Sequence, residues 1–152
     1  MTRPEVIRVQ HLDTLLGDPQ TPVRAHDDDA GWDLHVSETT IIDPHSFTDI
    51  PTGIAMELPS WSWGMLTGRS STLRKRGLLV HTGIIDAGYR GELFIGVWNL
   101  TNEEVRVDAG DRIGQLIILD NATARTVMRK INDDEALGAH ARGTKGFGSS
   151  GK

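Results

Sequence analysis

The chain contains no cysteine, which removes disulfides, thiolate zinc sites and cysteine nucleophiles together. A reducing, intracellular setting is compatible with that. No apolar run approaches the ~20 residues a membrane helix needs, and the N-terminus lacks the apolar core of a signal peptide. A cytoplasmic location with no membrane partner is expected. Positive charge is scarce too: 16 Lys and Arg stand against 21 Asp and Glu, for a net charge of −5. Generalised binding to nucleic acid is therefore not expected. A polyanionic ligand would have to be met by a local arginine cluster, helped by a metal. The six histidines show no metal-ligand spacing, so no zinc is expected.

Helical periodicity is nearly missing as well. One candidate remains, Ser70–Arg76, where a serine can cap the start and Gly77 can end the helix. What the chain does have is β patterning. With 152 residues, 38% of them hydrophobic, it is long enough to build one real core. Apolar residues alternate in Val6–Val9, Ile54–Leu58 and Leu93–Trp98. In the last, Leu93, Ile95 and Val97 share one face and Phe94 and Trp98 the other. Arg112–Leu119 reads as a strand buried on both faces. Turns recur at Asp43-Pro44, Pro51-Thr-Gly53, Leu58-Pro59, Asp86-Ala-Gly88 and Ala109-Gly-Asp111. Short strands between such turns predict an all-β sandwich, jelly roll or barrel. No internal repeat, linker or second domain is visible. Beyond Leu119 the pattern weakens to one strand, roughly Thr126 to Ile131, and then a polar connection.

Four segments carry dense polar chemistry. The C-terminal Arg142–Lys152 is rich in glycine, which lets backbone lie close to a ligand. Its Thr144, Ser149 and Ser150 hydroxyls and its Arg142 and Lys145 cations match phosphate oxygens, and Phe147 offers a flat face to a ring. It reads as a mobile arm that orders over a nucleotide, against the plainer alternative of a frayed tail. Gly68-Arg-Ser-Ser-Thr72 sets hydroxyls and backbone N–H groups at the expected helix start, beside an arginine. A Ser-rich cap is the alternative. Gly83-Ile-Ile-Asp-Ala-Gly-Tyr-Arg-Gly-Glu92 joins two apolar runs through a tight turn. Asp86 follows two isoleucines, so partial desolvation is expected there, as suits a general base; an Asx-type turn is the alternative. Tyr89 can stack on a ring or sugar, and Arg90 can pair with a carboxylate. Asp29-Ala-Gly-Trp-Asp-Leu34 places Asp33 inside a strand, where a buried acid requires an arginine or a metal-bound water. Asp27, Asp28 and Asp29 read as a solvated loop.

Taken together these segments resemble the five ordered motifs of the trimeric dUTP pyrophosphatases. Ala30-Gly-Trp-Asp-Leu34 is similar to the first and Gly68-Arg-Ser-Ser-Thr72 to the second. Gly83–Gly91 is similar to the third, Ala109-Gly-Asp-Arg-Ile-Gly-Gln-Leu116 to the fourth and Arg142–Gly151 to the fifth. The resemblance implies an all-β jelly roll with one short helix over residues 1–137 and a flexible arm over 138–152. It implies a homotrimer with shared active sites that converts dUTP to dUMP and pyrophosphate with Mg2+. Asp86 would activate the water that attacks the α-phosphorus. Arg69, Ser70, Ser71 and Gln115 would hold the triphosphate, joined by Arg142, Ser149 and Ser150. Tyr89 would pack on the deoxyribose. The hairpin with Gly83 and Ile85 would read uracil through its backbone, and Phe147, followed by Gly148, would stack on the base. Asp33 would sit near the metal through water.

Departures from the pattern leave two alternatives. His81 and Thr82 stand where many members of the family carry smaller residues. Gly77–His81 also resembles the dCTP deaminases, a sister branch on the same fold. In that branch a glutamate follows the third motif; Gly96 occupies its place, so deamination, alone or combined with hydrolysis, lacks an evident acid/base agent. The other alternative is a dUTP-responsive binding protein whose arm is the switch. Trp61-Ser-Trp63 would then be a candidate contact for a regulatory partner, against burial within the trimer.

Overall fold

Burial along Leu93–Trp98 alternates as its sequence predicts: Leu93, Ile95 and Val97 are buried in the core while Phe94 and Trp98 face outward. The same rule shapes most of the chain. A computed structural model describes residues 5–13, 17–141, 143, 144 and 147. Its strands are β1 (Arg8–His11), β2 (Trp32–His35), β3 (Thr40–Ile42), β4 (Phe47–Pro51), β5 (Ile54–Glu57) and β6 (Ser62–Gly68). After helix α1 (Ser70–Arg76) come β7 (Leu78–Val80), β8 (Gly83–Asp86), β9 (Phe94–Asn99), β10 (Val105–Val107) and β11 (Arg112–Asp120). Every pairing is antiparallel: β2-β11-β6-β8 and β4-β9-β7 form the larger sheets, and β1-β5 and β10-β3 the smaller ones. This is the expected all-β jelly roll with one short helix.

The core lies between the two larger sheets. Leu34, Leu66, Ile113 and Leu116 meet Ile50, Leu78, Ile95 and Val97 there. The sheets pack closely at Gly114, where an added Cβ would lie 3.2 Å from the Ile95 side chain. β11 is less fully buried than its composition suggests, since Ile117, Ile118 and Leu119 are only half-buried. α1 ends as expected, with Gly77 in the left-handed region at φ 65°. Its start differs from expectation. Arg69 holds the N-cap position without a side-chain cap, because Ser70 already lies inside the first turn.

One polar residue locks a corner of the core. Asn99 is fully buried; its amide nitrogen donates to the carbonyls of Ile42 (3.0 Å), Asp43 (3.1 Å) and Glu103 (2.8 Å). Its amide oxygen accepts from the Thr101 N–H and hydroxyl.

The strand expected over Thr126–Ile131 does not form. Ala122–Arg125 makes a 3-10 turn, and residues 126–141 beyond it are exposed apart from half-buried Ile131, with Val127 and Met128 wholly so. A strand needs a neighbour for its ladder, and among the described residues none pairs with this segment.

Asn99→Ala would leave several buried groups unpaired at once and is expected to cost about 2–4 kcal/mol. Urea unfolding followed by tryptophan fluorescence checks this; an unchanged midpoint would contradict it.

Candidate active site

The Asp33 carboxylate, with 13% side-chain exposure, is largely withdrawn from water and is met from two directions. Arg69 Nε reaches one of its oxygens at 2.8 Å and Arg112 Nη1 the other at 3.2 Å. Of the two partners the sequence allows for this acid, the structure supplies arginine. Arg69 also donates through Nη1 to the Arg112 carbonyl at 3.0 Å, so β2, the start of α1 and the start of β11 converge on one charge. Gln115 projects from β11 beside them and donates to the Gly68 carbonyl at 2.9 Å. Its amide oxygen fills the space a Cβ on Gly31 would need. Ser70 is exposed and Ser71 half-buried.

His35 sits behind the arginines, paired in register with Arg112. Its Nδ1 is buried without a hydrogen-bond partner. Burial holds its pKa below the ordinary value of 6.5; Arg112 and, more weakly, Arg69 push in the same direction, and Asp33 opposes them. A neutral ring at pH 7 follows, which adds no third cation around the carboxylate.

The second group of expected residues lies elsewhere. Asp86 ends β8, and the turn after it closes through the Tyr89 N–H and the Asp86 carbonyl at 3.0 Å. The Asp86 side chain takes no part in that turn and is exposed, so the Asx reading fails. The expected desolvation is absent within one chain: β8 is an edge strand, Asp86 is exposed, and of the two isoleucines before it Ile85 packs against the core while Ile84 is 61% exposed. Tyr89 is held by its hydroxyl on the Glu92 carbonyl at 2.8 Å. Arg90 clasps the turn through the Ala87 and Tyr89 carbonyls and finds its carboxylate in Glu57 at 3.5 Å.

Strand β6 measures the distance between the two groups. Gly68 adjoins the arginines, while Trp63, at the other end, pairs with Asp86. Five strand positions separate them, about 17 Å at the rise of a β-strand. Gly83 and Ile85 lie between, opposite Leu66 and Gly64. Phe147 is wholly exposed. Arg142, Gly148, Ser149 and Ser150 lie outside the described residues.

A family model for the dUTPases matches residues 19–151. The deoxyuridine 5'-triphosphate nucleotidohydrolase of Tropheryma whipplei (strain Twist) is 38% identical over 144 residues, covering 93% of this chain and 95% of its own. The chain belongs to the dUTPase family. The Clostridium tetani nucleotidohydrolase is 39% identical over 140 residues, covering 91% of this chain and 93% of its own. In three dimensions the dUTPase fold recurs in the Staphylococcus bacteriophage 80alpha dUTPase solved with dUpNHpp. That match has a TM-score of 0.82 and 30% identity, over 98% of this chain and all of that one. A mutant dUTPase of phage phi11, described for the coordination of a structural Mg(II) ion, matches with a TM-score of 0.76 and 26% identity, over 87% of this chain and all of its own.

Within this dUTPase fold the chain thus brings Asp33, Arg69, Ser70, Ser71 and Gln115 to one end of β6. It sets Asp86 and Tyr89 at the other. Sequence reasoning quoted Arg112 only as part of the fourth motif and gave it no role. Its signal was present, a lone cation two residues from the strand's glycine, but its target on β2 lies 79 positions away in sequence. Asp33→Asn would leave Arg69 and Arg112 facing each other without their counter-charge. A stability loss of about 1–3 kcal/mol is expected, below that of a fully buried pair because both arginines are partly exposed. Urea unfolding measures it, and an unchanged midpoint would deny Asp33 its organising role.

Proposed function

We propose that this dUTPase hydrolyses dUTP to dUMP and pyrophosphate as a magnesium-dependent homotrimer, by attack of an Asp86-activated water on the α-phosphorus. The reaction limits uracil incorporation into DNA and supplies dUMP. The observation that carries the proposal is the separation along β6. The Asp86 carboxylate is exposed and makes no hydrogen bond or ion pair among the described residues, whereas the proposed phosphate-binding side chains are assembled about 17 Å away. A complete site therefore draws Asp86 from one subunit and Arg69, Ser70, Ser71 and Gln115 from another. An outward face suited to such contacts exists on β4-β9-β7, where Phe47, Leu79, Phe94 and Trp98 are each at least 40% exposed.

In this reading a neighbouring subunit covers Asp86, and the resulting desolvation raises its basicity toward water. Tyr89 packs on the deoxyribose, and the hairpin with Gly83 and Ile85 reads uracil. The arm, residues 138–152, brings Phe147 onto the base, with Gly148 beside it, and Arg142, Ser149 and Ser150 onto the phosphates, excluding water. Magnesium fits this residue set. Among the described residues no group of three His, Cys, Asp or Glu side chains forms a cage, as suits an ion bound mainly by phosphate oxygens and water. Each Asp33 oxygen keeps a lone pair for a metal-bound water beside its arginine. When bound, the ion neutralises charge on the phosphates.

No helix of the described residues is long and apolar enough to cross a membrane, and the reading places the enzyme in the cytoplasm. Gly96 carries no side chain where a deaminase would place its glutamate, and a Cβ there would lie 2.8 Å from the tip of the Phe47 ring. The Asp49 carboxylate approaches the same point at 3.0 Å, so dCTP belongs among the substrates tested.

Asp86→Asn is expected to lower kcat for dUTP by at least about 100-fold. Wild type should yield dUMP from dUTP, lost with chelator, and leave dCTP and UTP intact; uracil nucleotides from dCTP would refute the reading. Mixed trimers test the shared site. Asp86→Asn and Arg69→Ala subunits, each inactive alone, should recover roughly a quarter of wild-type activity when assembled at random. No recovery would place the whole site in one chain.

A further inference from the structure

The place where α1 meets β11 rests on a β-bulge. Arg112 pairs with His35 and Gly114 with Leu34, so Ile113 is the extra residue on β11. The ladder with β6 begins only at Gly114. The Ile113 side chain is buried in the core at 1% exposure, and its carbonyl therefore needs a partner away from both neighbouring strands. That partner is Thr72, whose hydroxyl donates to it at 2.7 Å. Thr72 is itself 97% buried, with 3% of its surface exposed. The Arg69 N–H points at the same carbonyl from 3.5 Å, while the Arg69 guanidinium takes the adjacent Arg112 carbonyl.

α1 is seven residues long and lacks a side-chain cap, so little within the helix fixes where its first turn sits. The bulge fixes it from outside. Of the side-chain bonds between α1 and this part of β11, the one from Thr72 is the most buried. It joins the segment carrying Arg69, Ser70 and Ser71 to the strand carrying Arg112 and Gln115.

Resting on the dUTPase reading above, we propose that Thr72 is a positioning residue. Its hydroxyl sets the spacing between the phosphate-binding groups of α1 and those of β11 without touching the substrate. A valine has the same shape but cannot donate. It leaves the Ile113 carbonyl with only the long 3.5 Å approach of the Arg69 N–H, and α1 shifts off the bulge to admit water.

The test compares wild type, Thr72→Val and Thr72→Ser as intact trimers, by steady-state dUTP hydrolysis and by calorimetric titration with tripolyphosphate and magnesium. Thr72→Val should raise KM and the tripolyphosphate Kd roughly tenfold with kcat within about twofold, and Thr72→Ser should restore both. Should Thr72→Val fail to assemble, Thr72→Ala carries the same expectation. Unchanged KM and Kd, a loss confined to kcat, or a defect that serine does not rescue would each overturn the proposal. Tripolyphosphate affinity needs no turnover. Absent dUTP hydrolysis would thus overturn the functional reading alone, and the variants would still be decided by their affinities.

Discussion

A single carboxylate between two guanidiniums organises this molecule. Asp33 on β2 receives Arg69 from the start of α1 and Arg112 from the start of β11. Two cations in one place repel each other, and in an acidic chain they would be costly to hold together without that shared partner. Asp33 largely satisfies them yet leaves each guanidinium with spare N–H groups, since five donors face one carboxylate oxygen. The result is a cationic corner whose remaining donors, in the proposed reading, meet phosphate oxygens. Neutral His35 behind it keeps the corner from gaining further charge.

The second constraint is length. β6 runs from this corner to the turn that holds Asp86, and a strand does not bend back on itself over that span. In the proposed trimer the two halves of the chemistry would therefore meet different neighbours. Within one chain, Asp86 is an exposed carboxylate on an edge strand. Assembly into the proposed trimer would cover it, which couples activity to quaternary structure.

Much of this was legible in the sequence, for physical reasons that also mark where legibility ends. Alternation gave β9 its faces because side-chain direction along a strand is local. Gly77 ended α1 because a left-handed residue is a local demand. The partner of Asp33 was narrowed to an arginine or a metal-bound water, but Arg69 and Arg112 are chosen by strand order. The desolvation expected at Asp86 rested on the two isoleucines before it; Ile84 proves exposed, because burial depends on what covers an edge. Thr126–Ile131 has strand composition and no ladder among the described residues. Thr72 stood in the second motif without a role of its own: its acceptor is a carbonyl freed by a bulge, which composition does not announce.

The claim at the centre of this account is that water attacks the α-phosphorus of dUTP. Hydrolysis in 18O-labelled water, followed by mass spectrometry of both products, addresses it directly. Label in dUMP with unlabelled pyrophosphate is the predicted result. Label in pyrophosphate would mean attack at the β-phosphorus and would contradict the assignment of Asp86 and the phosphate-binding corner to their roles.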